Sequence, residues 1–269
     1  MDEFYHEEVI MKTMIYQVNV GKGSQLYNGC IESVRKYCEK YDIDHIVQTV
    51  PKLMIRPDPF ATNRSKEAVD RLGYLPIYEK ENAFSYLSQY DKVAIVDSDI
   101  WIRPDAPNIF ESFGDEYDFG GVAEREMPIT EAYKQKIRNY SAMQYRDLQQ
   151  FVDFKPNNLG FEFYNMGLML MNSSISKYLK GMTPKQFIEQ NKFKDFVDGK
   201  GAWKWSTDQT LLNFWVKEQH MKVQNMDWRW NGLYTANTKV KECHFVHFFL
   251  KDKLPQKGEN FNELIKLVT

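Results

Sequence analysis

The sequence predicts one α/β domain over residues 1–269, with a central, mostly parallel mixed sheet flanked by helices. The chain begins with a strand at Met14–Val20, a helix at Ser24–Tyr41 and a second strand at Asp44–Val50, which together form a β-α-β unit. Lys92–Val96 is a short apolar run of the kind found in central parallel strands. No linker-like stretch divides the chain, so a single domain explains the pattern best.

The remaining elements follow from local apolar spacing and turn residues. Residues 1–11 are expected to be a loose arm, and the charged, helical residues 129–152 an inserted helix or lid. Thr183-Pro184 is a typical helix start. The other expected elements are a loop over 51–65, helices over 65–72, 81–90 and 206–219, strands over 117–122, 165–172 and 243–249, and a tail over 256–269 with a helix from about Asn260.

Charge and composition exclude several classes of function. The 35 basic and 37 acidic side chains give a net charge of -2, which offers no general attraction for nucleic acid or an anionic membrane. The start of the chain lacks the pattern of a signal peptide, and no apolar run is long enough for a transmembrane helix. Only three cysteines are present. We therefore expect a cytoplasmic protein, peripheral to a membrane at most.

Aromatic residues are abundant, and five of the six tryptophans lie between Trp203 and Trp230. Two interpretations remain open at this point. The segment could be a tryptophan-rich part of the core, or it could present flat aromatic faces to the C–H faces of hexoses.

The strongest chemical signal is Asp97-Ser98-Asp99, directly after the strand Lys92–Val96. In an open parallel sheet, ligands bind beyond the carboxyl ends of the strands. Two carboxylates at this edge repel each other unless a cation lies between them. Mg²⁺ and Mn²⁺ bind carboxylate and phosphate oxygens together. The motif therefore predicts a metal site that anchors a diphosphate, rather than a solvated turn.

A second signal is His247, which lies in an apolar strand and is followed by Lys251 and Lys253. A histidine beside two lysines suits a metal-diphosphate complex. His244 competes with His247 for this role, but strand alternation places the two on opposite faces.

Two further motifs are weaker. Asp208-Gln209 follows Ser206, and Ser206 with Gln209 has the spacing of a capping box, so this motif is either a helix start or a sugar-binding site. Asn165-Met166-Gly167 precedes a strand; the glycine permits close backbone approach, and the Asn165 amide could contact sugar hydroxyls.

In order along the chain, these motifs resemble those of the GT-A glycosyltransferases, most closely the glycogenin and bacterial galactosyltransferase group. The resemblance covers about residues 14–255. It includes the Asp-x-Asp segment, an Asn-Met-Gly strand in place of Asn-Ser-Gly, an Asp-Gln helix, Trp230-Asn231 and the terminal histidine segment.

The resemblance implies a role for each matched residue. Asp97, Asp99 and His247 would hold Mn²⁺ or Mg²⁺. Asn19, Val20 and Gly21 would contact the nucleotide base, and Ser98 would contact the ribose. Lys80 and Lys253 would bind the phosphates. Asp208 would bind hydroxyls of the donor sugar, and Gln209 would lie under the anomeric carbon.

These roles imply transfer of a hexose from a nucleotide diphosphate sugar, UDP by resemblance, to a carbohydrate, lipid-linked or protein acceptor, with retained stereochemistry. Three alternatives stay open: an inverting transferase that uses a GDP-sugar, a non-catalytic nucleotide-sugar or glycan-binding protein, and an Asp-x-Asp phosphotransferase. Asp208 could be the base of an inverting enzyme, with Glu124 and Glu126 as spare candidates or simple surface residues.

Overall fold

A six-stranded mixed sheet forms the centre of the computed structural model, which describes residues 11–21, 23–62, 64 and 73–269. The strands of the chain are β1 Thr13–Val18, β2 Asp44–Gln48, β3 Lys92–Val96, β4 Ile100–Ile102, β5 Phe119–Gly121, β6 Pro156–Asn157, β7 Gly160–Phe161, β8 Leu168–Asn172, β9 Val223–Asn225, β10 Gly232–Leu233 and β11 Phe245–His247. The α-helices are α1 Gln25–Tyr41, α2 Glu131–Tyr145, α3 Ser176–Leu179, α4 Pro184–Ile188, α5 Lys194–Asp198, α6 Asp208–Glu218 and α7 Phe261–Lys266.

The central sheet has the strand order β2-β1-β3-β8-β5-β9. Strand β1 pairs in parallel with both β2 and β3, and β5 pairs in parallel with β9, whereas β8 is antiparallel to both of its neighbours. The predicted α/β fold with a mostly parallel mixed sheet is therefore confirmed. The antiparallel β8 places its beginning at the end of β3, with Leu168 opposite Val96.

A second, three-stranded sheet joins the end of the chain to the Asp-x-Asp segment. Its order is β10-β11-β4, and β4 begins directly after Asp99. Strand β11 is antiparallel to β4, with His247 opposite Ile100, and the Phe248 amide donates to the Asp99 carbonyl at 2.9 Å. The small sheet thus fixes His247 beside the carboxylates that follow β3.

The core is built from the apolar faces of these elements. All five residues of β3 and all five of β8 are buried, as expected for strands covered on both faces. Trp215 and Trp230 belong to the core, while Trp205 is 63% exposed. The core interpretation therefore holds for Trp215 and Trp230, and the sugar-binding interpretation stays a prediction. No helix among the described residues is long and apolar enough to cross a bilayer.

The segment predicted as a helix over 81–90 is a 3₁₀ helix over Pro76–Tyr86, so that prediction was wrong in type and bounds. The Glu79 carboxylate accepts hydrogen bonds from the backbone amides of Leu53 and Met54. These bonds tie the segment to a distant loop, and no local pattern could reveal them. The predicted helix over 65–72, and all of the predicted arm except Met11, lie outside the described residues.

Several other elements are shorter than predicted. Strands β1 and β2 end two residues early, at Val18 and Gln48, and β5 covers only Phe119–Gly121 of the predicted 117–122. The Asn165 side chain accepts from the Gly167 amide at 3.0 Å, and this turn keeps residues 165–167 out of β8. Helix α6 begins at Asp208 because Thr207, and not Ser206, accepts the capping bond from the Gln209 amide. Strand β11 covers only Phe245–His247 of the predicted 243–249.

The structure confirms the helices predicted at the insertion, at Thr183 and at the tail. Within 129–152, α2 is capped by Thr130 and continues as a 3₁₀ helix over Arg146–Gln150. Thr183 and Gln186 form a reciprocal capping box at the start of α4. Asn260 caps α7.

Candidate active site

Asp97, Asp99 and His247 form a candidate metal site, called the metal group below, in which one ligand atom from each lies within 4.8 Å of the others. The Nε2 atom of His247 is 3.2 Å from Asp99 Oδ1 and 3.8 Å from Asp97 Oδ2. The two carboxylates follow β3, and His247 ends β11, so the group joins the edges of both sheets. His244 lies outside the group and packs on Trp230, with ring centroids 4.8 Å apart.

The orientation of His247 suits a metal ligand. Its Nδ1 lies 3.1 Å from Asn231 Oδ1, which can only accept, so Nδ1 carries a proton and Nε2 is the nitrogen that faces the carboxylates. The ring also lies directly against Gly167, where a Cβ atom would overlap it. Two carboxylates and one imidazole form a donor set that fits a divalent cation.

The charges around His247 also favour a cation at this position. Burial lowers the pKa of His247, but the carboxylates of Asp99 and Asp97 outweigh burial and raise it. The negative charge of this pair therefore attracts a positive charge to the His247 position, either a proton or a metal ion.

Lys80 connects the metal group to the start of helix α6. Its buried ammonium group lies 2.8 Å from Asp97 Oδ1 and 2.7 Å from Asp208 Oδ2, and it also donates to the Met166 carbonyl at 2.9 Å. Burial alone would lower the pKa of Lys80, but the negative charges of Asp208 and Asp97 outweigh burial and raise it. The lysine therefore stays charged. Lys80 thus bridges the two carboxylates.

Gln209 joins three elements at one point. Its Oε1 accepts from the Met166 amide at 3.2 Å, before β8, and its Nε2 donates to the Tyr140 hydroxyl of α2 at 3.2 Å. Next to it, the Asn165 amide donates to Glu124 Oε2 at 2.9 Å. The Asn-Met-Gly and Asp-Gln motifs therefore meet in space.

A cleft opens beside the metal group. Its described lining residues are Val18, Tyr27, Pro76, Ile77, Lys80, Asp97, Ser98 and Asp99. The predicted base-binding residues Asn19, Val20 and Gly21 follow Val18 directly, but the lining set includes Val18 rather than any of them. Lys253 is exposed and ends the turn over 251–253.

A more enclosed apolar pocket lies between α1, β4 and α7, where Gly29, Trp101 and Phe261 line it. None of the predicted metal, nucleotide or sugar residues belongs to its lining. Four of the predicted residues, Lys80, Asp97, Ser98 and Asp99, line the cleft instead.

Glu124 lies in a more buried environment than the sequence indicated. It was expected to be either a base or a surface residue; it is only 5% exposed, so the surface interpretation was wrong and the base role stays a prediction. The Tyr133 hydroxyl and the Asn165 amide donate to it, and burial raises its pKa. Glu126 is exposed and contacts Asn225.

Sequence reasoning gave no role to the side chains of Asn231, Tyr133 and Tyr140. Tyr133 and Tyr140 lie seven residues apart, which is two helical turns and places them on one face of α2. That spacing could have indicated the face of α2 that packs on the site.

No protein-family profile and no curated protein matches the sequence. Solved structures do match, with 113 similar chains. The galactosyltransferase LgtC, solved with donor and acceptor sugar analogues, has a TM-score of 0.51 and 14% identity, over 95% of this chain and 96% of its own.

Mouse xyloside xylosyltransferase 1 has a TM-score of 0.50 and 12% identity, over 91% of this chain and 99% of its own. The bifunctional glycosyltransferase WbbM has a TM-score of 0.51 and 12% identity, over 96% of this chain and 50% of its own. At these identities the likeness concerns the fold. The chain has the GT-A glycosyltransferase fold.

Proposed function

We propose that the chain is a metal-dependent glycosyltransferase that moves a hexose from a nucleotide diphosphate sugar, UDP first, to a hydroxyl of a carbohydrate, lipid-linked or protein acceptor. The group Asp97, Asp99 and His247 carries this proposal, because it lies at the carboxyl edge of β3 in a GT-A fold.

For the cellular location we propose a reducing compartment such as the cytoplasm, because the three cysteines are free and buried.

Asp97, Asp99 and His247 would hold Mn²⁺ or Mg²⁺. A bound divalent cation would neutralise the negative charge that develops on a departing diphosphate. The chain's own residues supply orientation. Asn231 fixes the ring of His247, and Lys80 holds Asp97 and Asp208 in one arrangement.

The surroundings of Asp208 favour retention over inversion. An inverting enzyme needs a free carboxylate base at the acceptor. Asp208 is 2% exposed and is engaged by Lys80, so it suits the binding of donor-sugar hydroxyls better than proton abstraction. Gln209 is held at a fixed place by Met166 and Tyr140, which suits a residue that positions the anomeric carbon.

The first test is a thermal melt with UDP, GDP, CDP and ADP, each with Mn²⁺ and again with EDTA. A ligand at one hundred times its Kd stabilises the native state by about 2.7 kcal/mol. We expect a shift with UDP that needs Mn²⁺ and disappears in Asp99→Asn. Asp105→Asn, at an exposed position six residues after Asp99 in the chain, is the matched control and should keep the shift. The absence of any shift with a folded protein would remove the donor-site proposal.

Two further readouts separate the alternatives. An enzyme releases free nucleoside diphosphate from its donor in a Mn²⁺-dependent way, whereas a binding protein returns the donor intact. Proton NMR of the product gives the anomeric configuration, and an inverted product would contradict the retaining mechanism.

A further inference from the structure

A line of three hydrogen bonds leads from His247 into the interior of the protein. The Nδ1 of His247 donates to Asn231 Oδ1 at 3.1 Å, and Asn231 Nδ2 donates to Asn165 Oδ1 at 3.0 Å. Asn165 Nδ2 in turn donates to Glu124 Oε2 at 2.9 Å. All four residues are buried. Asn231 and Asn165 therefore join a proposed metal ligand to a carboxylate that lies outside the metal group.

Backbone groups fix the orientation of both amide side chains. The backbone amide of Gly167 can only donate, and it lies 3.0 Å from Asn165 Oδ1. The backbone carbonyl of Asn165 can only accept, and it lies 3.3 Å from Asn231 Nδ2. The three bonds therefore run in one direction, with each donor on the side of His247 and each acceptor on the side of Glu124.

A carboxylate behind a metal-binding histidine has a known physical effect. It accepts from the ring nitrogen that does not face the metal, which fixes the ring and makes the other nitrogen a better ligand. In this protein the carboxylate of Glu124 lies two amides away from the ring of His247. Hydrogen bonds that run in one direction polarise and strengthen one another, so the acceptor at the end of the line still acts on the ring.

Helix α2 holds the far end of this line. Oε2 of Glu124 accepts from Asn165, and its Oε1 accepts from the Tyr133 hydroxyl of α2. Tyr133 also packs on Phe249 with ring centroids 6.2 Å apart, and the Phe249 ring lies 5.8 Å from the ring of His247. The helix is thus linked to His247 by a polar route and by an aromatic route.

We propose that Glu124 is a positioning residue for the metal group, which holds the ring of His247 in its ligand orientation through Asn165 and Asn231, with Tyr133 of α2 as its anchor. This inference rests on the proposed function, because it concerns the metal that the reaction requires. Both oxygens of Glu124 are engaged by donors, which suits a fixed acceptor. The effect of Glu124 on the site then passes through Asn231 and not through the sugar acceptor.

The test compares two variants of Glu124 with similar size. Glu124→Gln keeps an oxygen that accepts from Asn165, and its amide nitrogen can donate to the Tyr133 hydroxyl, whereas Glu124→Met has no acceptor. Electron paramagnetic resonance of free Mn²⁺ measures the affinity of each variant. We expect Glu124→Gln to stay within about twofold of the wild type and Glu124→Met to bind about tenfold more weakly, as for one lost buried hydrogen bond.

Glu162→Met is the matched control. Glu162 is a half-buried carboxylate three residues before Asn165, but it pairs with Lys217 and belongs to no part of the line. Its variant should bind Mn²⁺ as the wild type does. If Glu124→Met does not fold, Tyr133→Phe replaces it, since this change removes one donor to Glu124 and should weaken Mn²⁺ binding about threefold.

A double-mutant cycle tests the route. In an Asn231→Ala background the line is already broken, so adding Glu124→Met should cause no further loss of Mn²⁺ affinity. Proton exchange gives a readout without metal. In the NMR spectrum of the metal-free protein, the Nδ1 proton of His247 should exchange with water faster in Glu124→Met than in the wild type or in Glu124→Gln.

The inference is overturned if Glu124→Met binds Mn²⁺ as tightly as Glu162→Met, if Glu124→Gln loses as much affinity as Glu124→Met, or if the two losses simply add in the double variant. A wild-type protein that binds no Mn²⁺ would overturn the proposed metal-dependent function instead. In that case the exchange rate of the Nδ1 proton still decides whether Glu124 holds the ring of His247.

Discussion

At the scale of single residues, Asn231 shows how a neutral side chain can orient a proposed metal ligand. Its Oδ1 accepts from His247, and its Nδ2 donates to Asn165 Oδ1 at 3.0 Å. This relay fixes which nitrogen of His247 faces Asp99, because the amide can accept at only one end.

We expect Asn231→Ala to weaken Mn²⁺ binding by about 10- to 100-fold, since the ring of His247 then loses its orientation. The loss of free Mn²⁺ signal in electron paramagnetic resonance, followed through a titration, measures this affinity. Asn237→Ala is the control, because Asn237 is also buried but contacts Cys243. Equal Mn²⁺ affinities in the two variants would show that Asn231 has only a structural role.

The sequence predicted that Asp97, Asp99 and His247 belong to one site, and the structure brings them together. This was possible because carboxylates after a buried strand and a histidine in a late strand have local signatures. It could not show how Lys80 joins Asp97 to Asp208, because that contact depends on three segments that are far apart in the chain. Glu124 was misjudged for the same reason. Its burial comes from Tyr133 and Asn165, which no local pattern connects to it.

At the scale of elements, the start of helix α6 carries the Asp-Gln motif, whose two residues we propose to contact the donor sugar. Thr207 caps this helix by accepting from the Gln209 amide at 3.2 Å. Asp208 and Gln209 are the first two residues of the helix, so their positions depend directly on the cap. Local propensity predicted a cap here and placed it one residue too early, because Ser206 and Thr207 are equally suitable.

We expect Thr207→Ala to lower the free energy of unfolding by about 1 kcal/mol and to reduce kcat more than this loss of stability explains. Thr183→Ala removes the corresponding cap of α4 and should cost similar stability without reducing kcat. Urea unfolding and donor turnover, measured on both variants, separate the two effects. Equal turnover in the two variants would contradict a positioning role for the cap.

At the scale of the whole molecule, the two sheets meet at the metal group. The β-α-β beginning and the apolar strands were predictable from spacing. The antiparallel pairing of β8 and the small sheet of β10, β11 and β4 were not, because pairing depends on contacts between distant segments. These pairings bring Asn165 and His247 to the end of β3, so the site exists only in the folded chain.

We expect the stability of this fold to depend on pH through a histidine in the edge strand of the main sheet. His45 lies in the edge strand β2, and its Nε2 lies 2.9 Å from the Oε1 of Gln17, whose amide in turn reaches the Asp97 carbonyl at 3.3 Å. Burial, and then the charge of Arg35, lower the pKa of His45 to about 4. In the unfolded chain a histidine titrates near 6.5.

Between these two values the unfolded chain binds a proton at His45 and the folded chain does not, so stability falls as the pH falls from about 6.5 to about 4. His45→Gln has no such proton, and we expect it to lose about 1–2 kcal/mol less than the wild type across this range, after allowance for partial exposure. Urea unfolding at pH 7.5, 6.5, 5.5 and 4.5 measures the difference. Other titrating groups are shared by the two proteins, so parallel stability curves would show that His45 takes up its proton equally in both states.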